Sequence, residues 1–151
     1  MAVTSEQVKE LRDKTGVSVM ECKKALTEAD GDMAKALEIL SARAAATVGK
    51  KADRTLGAGA VASYVHSTGQ MGAMVLLASE TDFVSKHEEF SALARDIAMH
   101  AAAMQPATVE ELAGQQFIKD PSKTIADLIS LATQKFGERI EVSKLAFFSV
   151  K

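Results

Sequence analysis

Cysteine occurs once in these 151 residues and proline twice. A single thiol, Cys22, cannot close an internal disulfide, so nothing in the chain asks for an oxidising compartment. Charge of one sign is also lacking: the net charge is −2 and there is no run of like charge, which removes any general attraction to nucleic acid. No apolar stretch approaches the roughly 20 residues that a membrane-spanning helix needs. The opening residues, MAVTSEQVKELRDK, are charged and have no apolar centre, unlike a secretory signal peptide. The expectation is a soluble, cytoplasmic protein without membrane association. What remains, 47% apolar and 25% charged, is ordinary for a folded chain of one domain or two small ones.

Signs of catalysis are equally sparse. His66, His87 and His100 lack metal-ligand spacing, and Cys22 falls on the inward side of an expected helix, where a thiol is a packing residue. Gly57, Gly59, Gly69 and Gly72 sit at strand starts and in a turn, outside any phosphate-binding pattern. Glu88 and Glu89 are adjacent on a helix and cannot face each other as an acid and a base. The seven methionines are scattered. The chain reads as one that works by binding, not as an enzyme, with no cofactor and no metal.

What is present is a set of well-signalled elements. Thr4 and Gln7 have capping-box spacing, and Gly16 supplies a left-handed stop, so a first helix runs to about Lys14. Ser18 and Glu21 repeat the box ahead of a second helix that presents Val19, Cys22, Ala25 and Leu26 inward. ADGD is a turn, after which Asp32 caps a third helix carrying Met33, Ala36, Leu37 and Leu40. Residues 1–42 are therefore a compact three-helix bundle, and the alanine-rich, basic 43–56 is a helical linker. That linker has no aromatic residues on which bases could stack, so direct nucleic-acid binding is not expected.

Residues 57–151 form an α+β core. GAVASYVHS and GAMVLLAS are strands joined by a hairpin turn, and Phe90, Leu93, Ala94, Ile97, Ala98 and Ala101 mark a long helix ended by Pro106. TVEEL reads as a short helix, Asp120-Pro121 as the start of another that stops at Gly137, and RIEVSKLAFFSV as a closing strand. The module β-β-α-α-β is most simply a three-stranded antiparallel sheet with helices on one face. MVLLA and LAFF are apolar on both faces, however, and helices cover only one. A second copy of the chain, meeting the sheet near Val75 or Leu145, would cover the other as a homodimer.

Between the second strand and the long helix lies SETDFVSKHEEF. Ser85 and Glu88 have capping-box spacing, which would fix Asp82 and Phe83 on a rigid approach. Local spacing leaves two readings: Phe83 as a core residue with Asp82 as a cap, or a ring and a carboxylate held out for a partner.

Taken together, these stretches resemble translation elongation factor Ts. LRDKTGVSVMECKKALTEADGDMAKALEIL (residues 11–40) is similar to that family's N-terminal ubiquitin-associated-type bundle, and SETDFVSKHEEF to its core signature. GAGAVASYVH and KFGERIEVSKLAFF match its strand regions in order, so the resemblance runs over nearly the whole chain. It implies a guanine-nucleotide exchange factor whose partner is elongation factor Tu, the GTPase that delivers aminoacyl-tRNA to the ribosome. Thr81, Asp82, Phe83 and Val84 would bind the GTPase, the Thr-Asp-Phe stretch being pushed in near its magnesium and phosphates. Arg12, Val19 and Met20 would grip one of its helices. Longer family members carry two related core halves and often Met where this chain has Val19; here a single module implies that a second chain supplies the other half. A different reading makes the bundle a ubiquitin-type or nascent-chain-binding module on an unrelated scaffold, but it gives SETDFV no task.

Overall fold

A computed structural model describes residues 2–151 of the chain. It is an α+β protein that divides into two compact units, one running up to Asp53 and taking in Ser130–Gly137, the other Arg54–Ile129 with Glu138–Lys151. No helix among the described residues is long and apolar enough to cross a membrane.

In the first unit, α1 (Ser5–Thr15) starts behind a complete capping box. Gln7 N–H donates to Thr4 Oγ1 at 3.2 Å and Thr4 N–H donates to Gln7 Oε1 at 3.0 Å. Gly16, at φ 71°, ends the helix with its N–H on the Arg12 carbonyl, a left-handed position where a side chain would be strained. Ser18 caps α2 (Val19–Glu28) and Asp32 caps α3 (Met33–Lys50). Leu11, Cys22, Ala25, Leu26, Ala36, Leu40 and Ala44 are fully buried between these helices, and Leu131 joins the same cluster. At about 1.5–3 kcal/mol for each large apolar side chain, this burial outweighs any of the caps.

Two expectations for this region change. Val19 is 51% exposed instead of inward, because it is the first residue of α2 and buried Val17, just before it, takes the core position. The helix divided at residue 42 is unbroken to Lys50. Ala44 is buried in the bundle core, and the Arg43 guanidinium reaches Glu21 at 3.2 Å and Glu28 at 2.5 Å on α2, so these residues belong to the bundle's own packing.

In the second unit, β1 (Ala58–Val65) and β2 (Met71–Ser79) form a hairpin, followed by the single turn α4 (Asp82–Ser85) and the long α5 (Glu88–Met104). Then come α6 (Val109–Gly114), β3 (Gln116–Phe117), β4 (Asp120–Thr124), α7 (Ile125–Phe136), whose residues to Ile129 belong here, and β5 (Glu141–Ser149). The main sheet is antiparallel in the order β1-β2-β5. Directly paired residues share a face, so Ala62, Val75 and Leu145 point one way with Tyr64, Ala73 and Phe147. Onto this face α5 packs Phe90, Ala94, Ile97, Ala98 and Ala101, all fully buried. Val75 and Leu145 are thus on the covered face, and the apolar side chains facing away include Val61, Val65, Met74, Leu76, Ala146 and Phe148. Gly59 is required by a close approach: a Cβ there would lie 2.7 Å from the Leu77 carbonyl oxygen.

Asp120-Pro121 does not begin a helix. Both residues lie in β4, paired with β3 in a two-stranded ribbon whose free edge tolerates the missing proline N–H. The helix waits for Thr124 and Asp127, which cap reciprocally: Asp127 N–H donates to Thr124 Oγ1 at 3.1 Å, and Thr124 N–H to Asp127 Oδ2 at 2.9 Å. The expected β-β-α-α-β string therefore gains a ribbon and the short α4.

His100 ties α5 to that ribbon. Its ring is fully buried, with Nε2 2.9 Å from Gln115 Oε1 while Ile118 N–H donates to Nδ1 at 3.2 Å. Only the neutral Nε2–H tautomer serves both bonds, and burial lowers the imidazole pKa. Below about 6.5 the unfolded chain then takes up a proton that the folded chain refuses, so this contribution to stability is complete above that pH and shrinks in acid. In urea unfolding from pH 7.5 to 5.0, His100→Gln is expected to be about 1–3 kcal/mol less stable than the parent at pH 7.5. The gap should narrow towards pH 5.0; a constant gap would contradict the assignment.

Candidate functional site

The chain leaves β2 at Ser79 and reaches α4 through Glu80 and Thr81. Thr81 is extended (φ −129°, ψ 155°), yet its side chain makes no cap bond to α4. Its hydroxyl instead donates to Glu138 Oε2 at 2.7 Å, and Glu138 Oε1 accepts the N–H groups of Glu80 at 3.1 Å and Thr81 at 3.0 Å. Glu80 answers in kind. Its carboxylate accepts the Arg139 N–H at 2.6 Å and the Arg54 guanidinium at 3.2 Å, while the Arg139 guanidinium donates to the Arg54 carbonyl at 2.7 Å and to Glu141 at 2.6 Å.

Behind this junction Val84 and Ser85 are buried, and the Ser85 hydroxyl donates to the Asp82 carbonyl at 3.3 Å. Ahead of it Asp82 is exposed and Phe83 is 88% exposed. The core reading of Phe83 is therefore excluded. Leaving a benzyl group in water forgoes about 1.5–3 kcal/mol that burial would return, an amount recoverable against another surface. The expected Ser85–Glu88 capping box is absent. Ser85 spends its hydroxyl inside α4, and His87 caps α5 instead, its Nδ1 accepting the Glu89 N–H at 3.1 Å.

A second exposed region lies on the bundle. Arg12 and Val19 line a groove of about 340 Å³ with Val3, Val8, Lys9 and Lys23. Met20, 67% exposed, faces a neighbouring groove of about 370 Å³ with Lys24, Thr27 and Arg43, and Lys23 borders both. The three sequence-expected residues are thus on one exposed surface, but Arg12 and Val19 share a groove that Met20 does not. Lys9 and Lys23 were missed. Their signal was available, since Lys9 is three residues from Arg12 and Lys23 four from Val19, the spacings that share a helix face.

The third exposed region is the open sheet face. Val61, Val65, Met74 and Phe148 are 65%, 69%, 52% and 82% exposed, and Val65, Met74, Ala146, Phe148 and Val150 line an apolar groove of about 430 Å³. Only Ser63 and Lys144 interrupt the central rungs of this face with polar groups. Among the described residues no group of three or more His, Cys, Asp or Glu side chains is placed to hold a metal ion.

Comparison with known proteins bears on all three regions. The family model described as elongation factor TS matches residues 80–151, which include the Glu80–Phe83 junction and β5. Elongation factor Ts of Desulfotalea psychrophila is 35% identical over 195 aligned positions that cover 99% of this chain and 99% of the relative. That of Thermosipho melanesiensis is 38% identical over 193 positions, covering 98% of each. Both alignments are longer than this chain of 151 residues, so these relatives carry segments that it lacks. Elongation factor Ts of Trichlorobacter lovleyi is 40% identical over 149 positions, covering 99% of this chain but 48% of the relative. The similarity takes in bundle and core alike, so the bundle is not mounted on an unrelated scaffold. The chain belongs to the elongation factor Ts family.

Proposed function

We propose that the protein is a guanine-nucleotide exchange factor for elongation factor Tu, and that Phe83, with Asp82 beside it, is the wedge that loosens GDP. The observation that carries this reading is a ring 88% exposed directly in front of buried Val84 and Ser85. GDP is held largely through its phosphates and the magnesium that bridges them to the protein. A ring inserted beside that site displaces the elements that complete it, and the burial gained by Phe83 is spent on the displacement. Because the factor then binds the nucleotide-free GTPase more tightly than the GDP form, GDP binds the complex less tightly by the same factor. No covalent bond is made or broken.

The bundle supplies the second hold. Exposed Val19 and Met20, bordered by Lys9, Arg12 and Lys23, suit an apolar helix face with acidic neighbours. Two contacts on one chain raise the effective concentration of the wedge at its target.

The open sheet face is the basis for a homodimer. Val61, Val65, Met74, Leu76 and Phe148 make a patch too apolar to suit permanent exposure, and the same face of a second copy is self-complementary. Such a dimer would display two copies of Phe83.

Release of labelled GDP from elongation factor Tu tests the central reading. Phe83→Ala should slow stimulated release about tenfold or more while changing folding stability by no more than about 0.5 kcal/mol. Wild-type exchange by the folded variant would rule out the wedge. Reversing charge with Lys9→Glu and Lys23→Glu together should weaken binding to the GTPase and flatten its salt dependence; unchanged titrations at low and high salt would mean that the bundle grips elsewhere. Met74→Asp should convert a sedimenting dimer to a monomer and depress exchange with it, whereas a wild-type protein that sediments as a fully active monomer at micromolar concentration would end the dimer reading.

A further inference from the structure

We infer that Glu138 is a positioning residue for exchange: it holds the Glu80–Thr81 backbone from just ahead of the neighbouring strand β5 and so fixes the direction in which Phe83 projects. The inference rests on the wedge reading of Phe83 and adds the group that makes the wedge stiff. The turn α4 spans only Asp82–Ser85, and the Thr81 side chain gives it no cap bond. A single turn of helix is not stable by itself, since nucleation fixes several residues for one hydrogen bond. Its N-terminal side therefore depends on Glu138, 57 residues further along the chain from Thr81. That carboxylate uses one oxygen for two successive backbone N–H groups and the other for the Thr81 hydroxyl. Hydrogen bonds to an ionised acceptor are about twice as strong as neutral ones, and a forked set of three fixes orientation as well as distance.

Glu138 is itself well placed to act as an anchor. The next residue, Arg139, is held through its N–H by Glu80 and through its guanidinium by the Arg54 carbonyl and Glu141, and Ile140 is buried. The two glutamates thus each accept backbone N–H groups from the segment that carries the other. The link is reciprocal and closes the end of β2 onto the start of β5. Without Glu138 the Glu80 and Thr81 N–H groups turn to water, α4 frays, and Phe83 stays exposed but loses its fixed bearing. A wedge that must be ordered on contact loses part of its binding free energy to that ordering.

The test is a double-mutant cycle on stimulated GDP release, read beside amide hydrogen exchange in the free protein. Glu138→Ala should slow release about tenfold and speed exchange of the Glu80 and Thr81 amides, while the combination with Phe83→Ala should be no slower than Phe83→Ala alone. Glu138→Gln retains an acceptor for the two amides and should recover release to within about threefold of the parent; it also carries the test if the alanine variant does not fold. Wild-type release by a folded Glu138→Ala, or a loss that multiplies independently with that of Phe83→Ala, overturns the positioning role while leaving the wedge in place. If Phe83→Ala itself has no effect, the wedge reading falls first and this inference falls with it.

Discussion

The core module depends on β2 being hydrogen-bonded along both edges. With β1 on one side and β5 on the other, the strand cannot shift register without disturbing two ladders at once. Its alternate residues Ala73, Val75, Leu77 and Ser79 are all buried under the α5 side, so a slip of one residue would also turn this row out to the other face. The chain that emerges from β2 starts from the least movable point of the sheet. The Glu80–Thr81 junction inherits that position, and the bonds to Glu138 and Arg139 extend it by two residues past the last rung.

This arrangement separates stiffness from exposure. An exposed aromatic ring usually sits on a mobile loop, where its contact with a partner is offset by the entropy of ordering it. Here the backbone is tied on one side by charge-assisted hydrogen bonds and on the other by buried Val84 and Ser85, while the side chains of Asp82 and Phe83 stand in water. The same division of labour recurs on the bundle, where Cys22, Ala25 and Leu26 fill the core and leave Val19, Met20 and Lys23 of the same helix outside.

Much of this was legible in the sequence, and the failures have a common cause. Thr4 with Gln7, Gly16, Asp32 and Gly137 acted as their local patterns say, because each satisfies backbone groups only a few residues away. Ser85 with Glu88 had an equally good pattern and lost, since the serine was already engaged inside α4 and His87 stands at the N-cap position of α5. Asp120-Pro121 lost to Thr124 with Asp127, a cap of the same kind four residues on, because β3 offered residues 120–124 a strand partner. Long-range groups were the least legible. Nothing near Thr81 announces Glu138, and the exposure of Phe83 could be settled only once the residues behind it were seen to be buried. The family resemblance gave that stretch an expected role, and the capping box paired with it is the part that the structure replaces.

One irregularity in β5 bears on how such a strand can vary through descent. Leu76 pairs with Lys144 and Leu77 with Val142, which leaves Ser143 as an extra, unopposed residue. Before it Val142 faces the core, and after it Leu145 and Phe147 do so. Removing Ser143 would leave Val142, Leu145 and Phe147 in strict alternation, still on the covered face. The bulge is a point at which the strand can gain or lose one residue without exchanging inside for outside. Length is free to drift there, and facing is not.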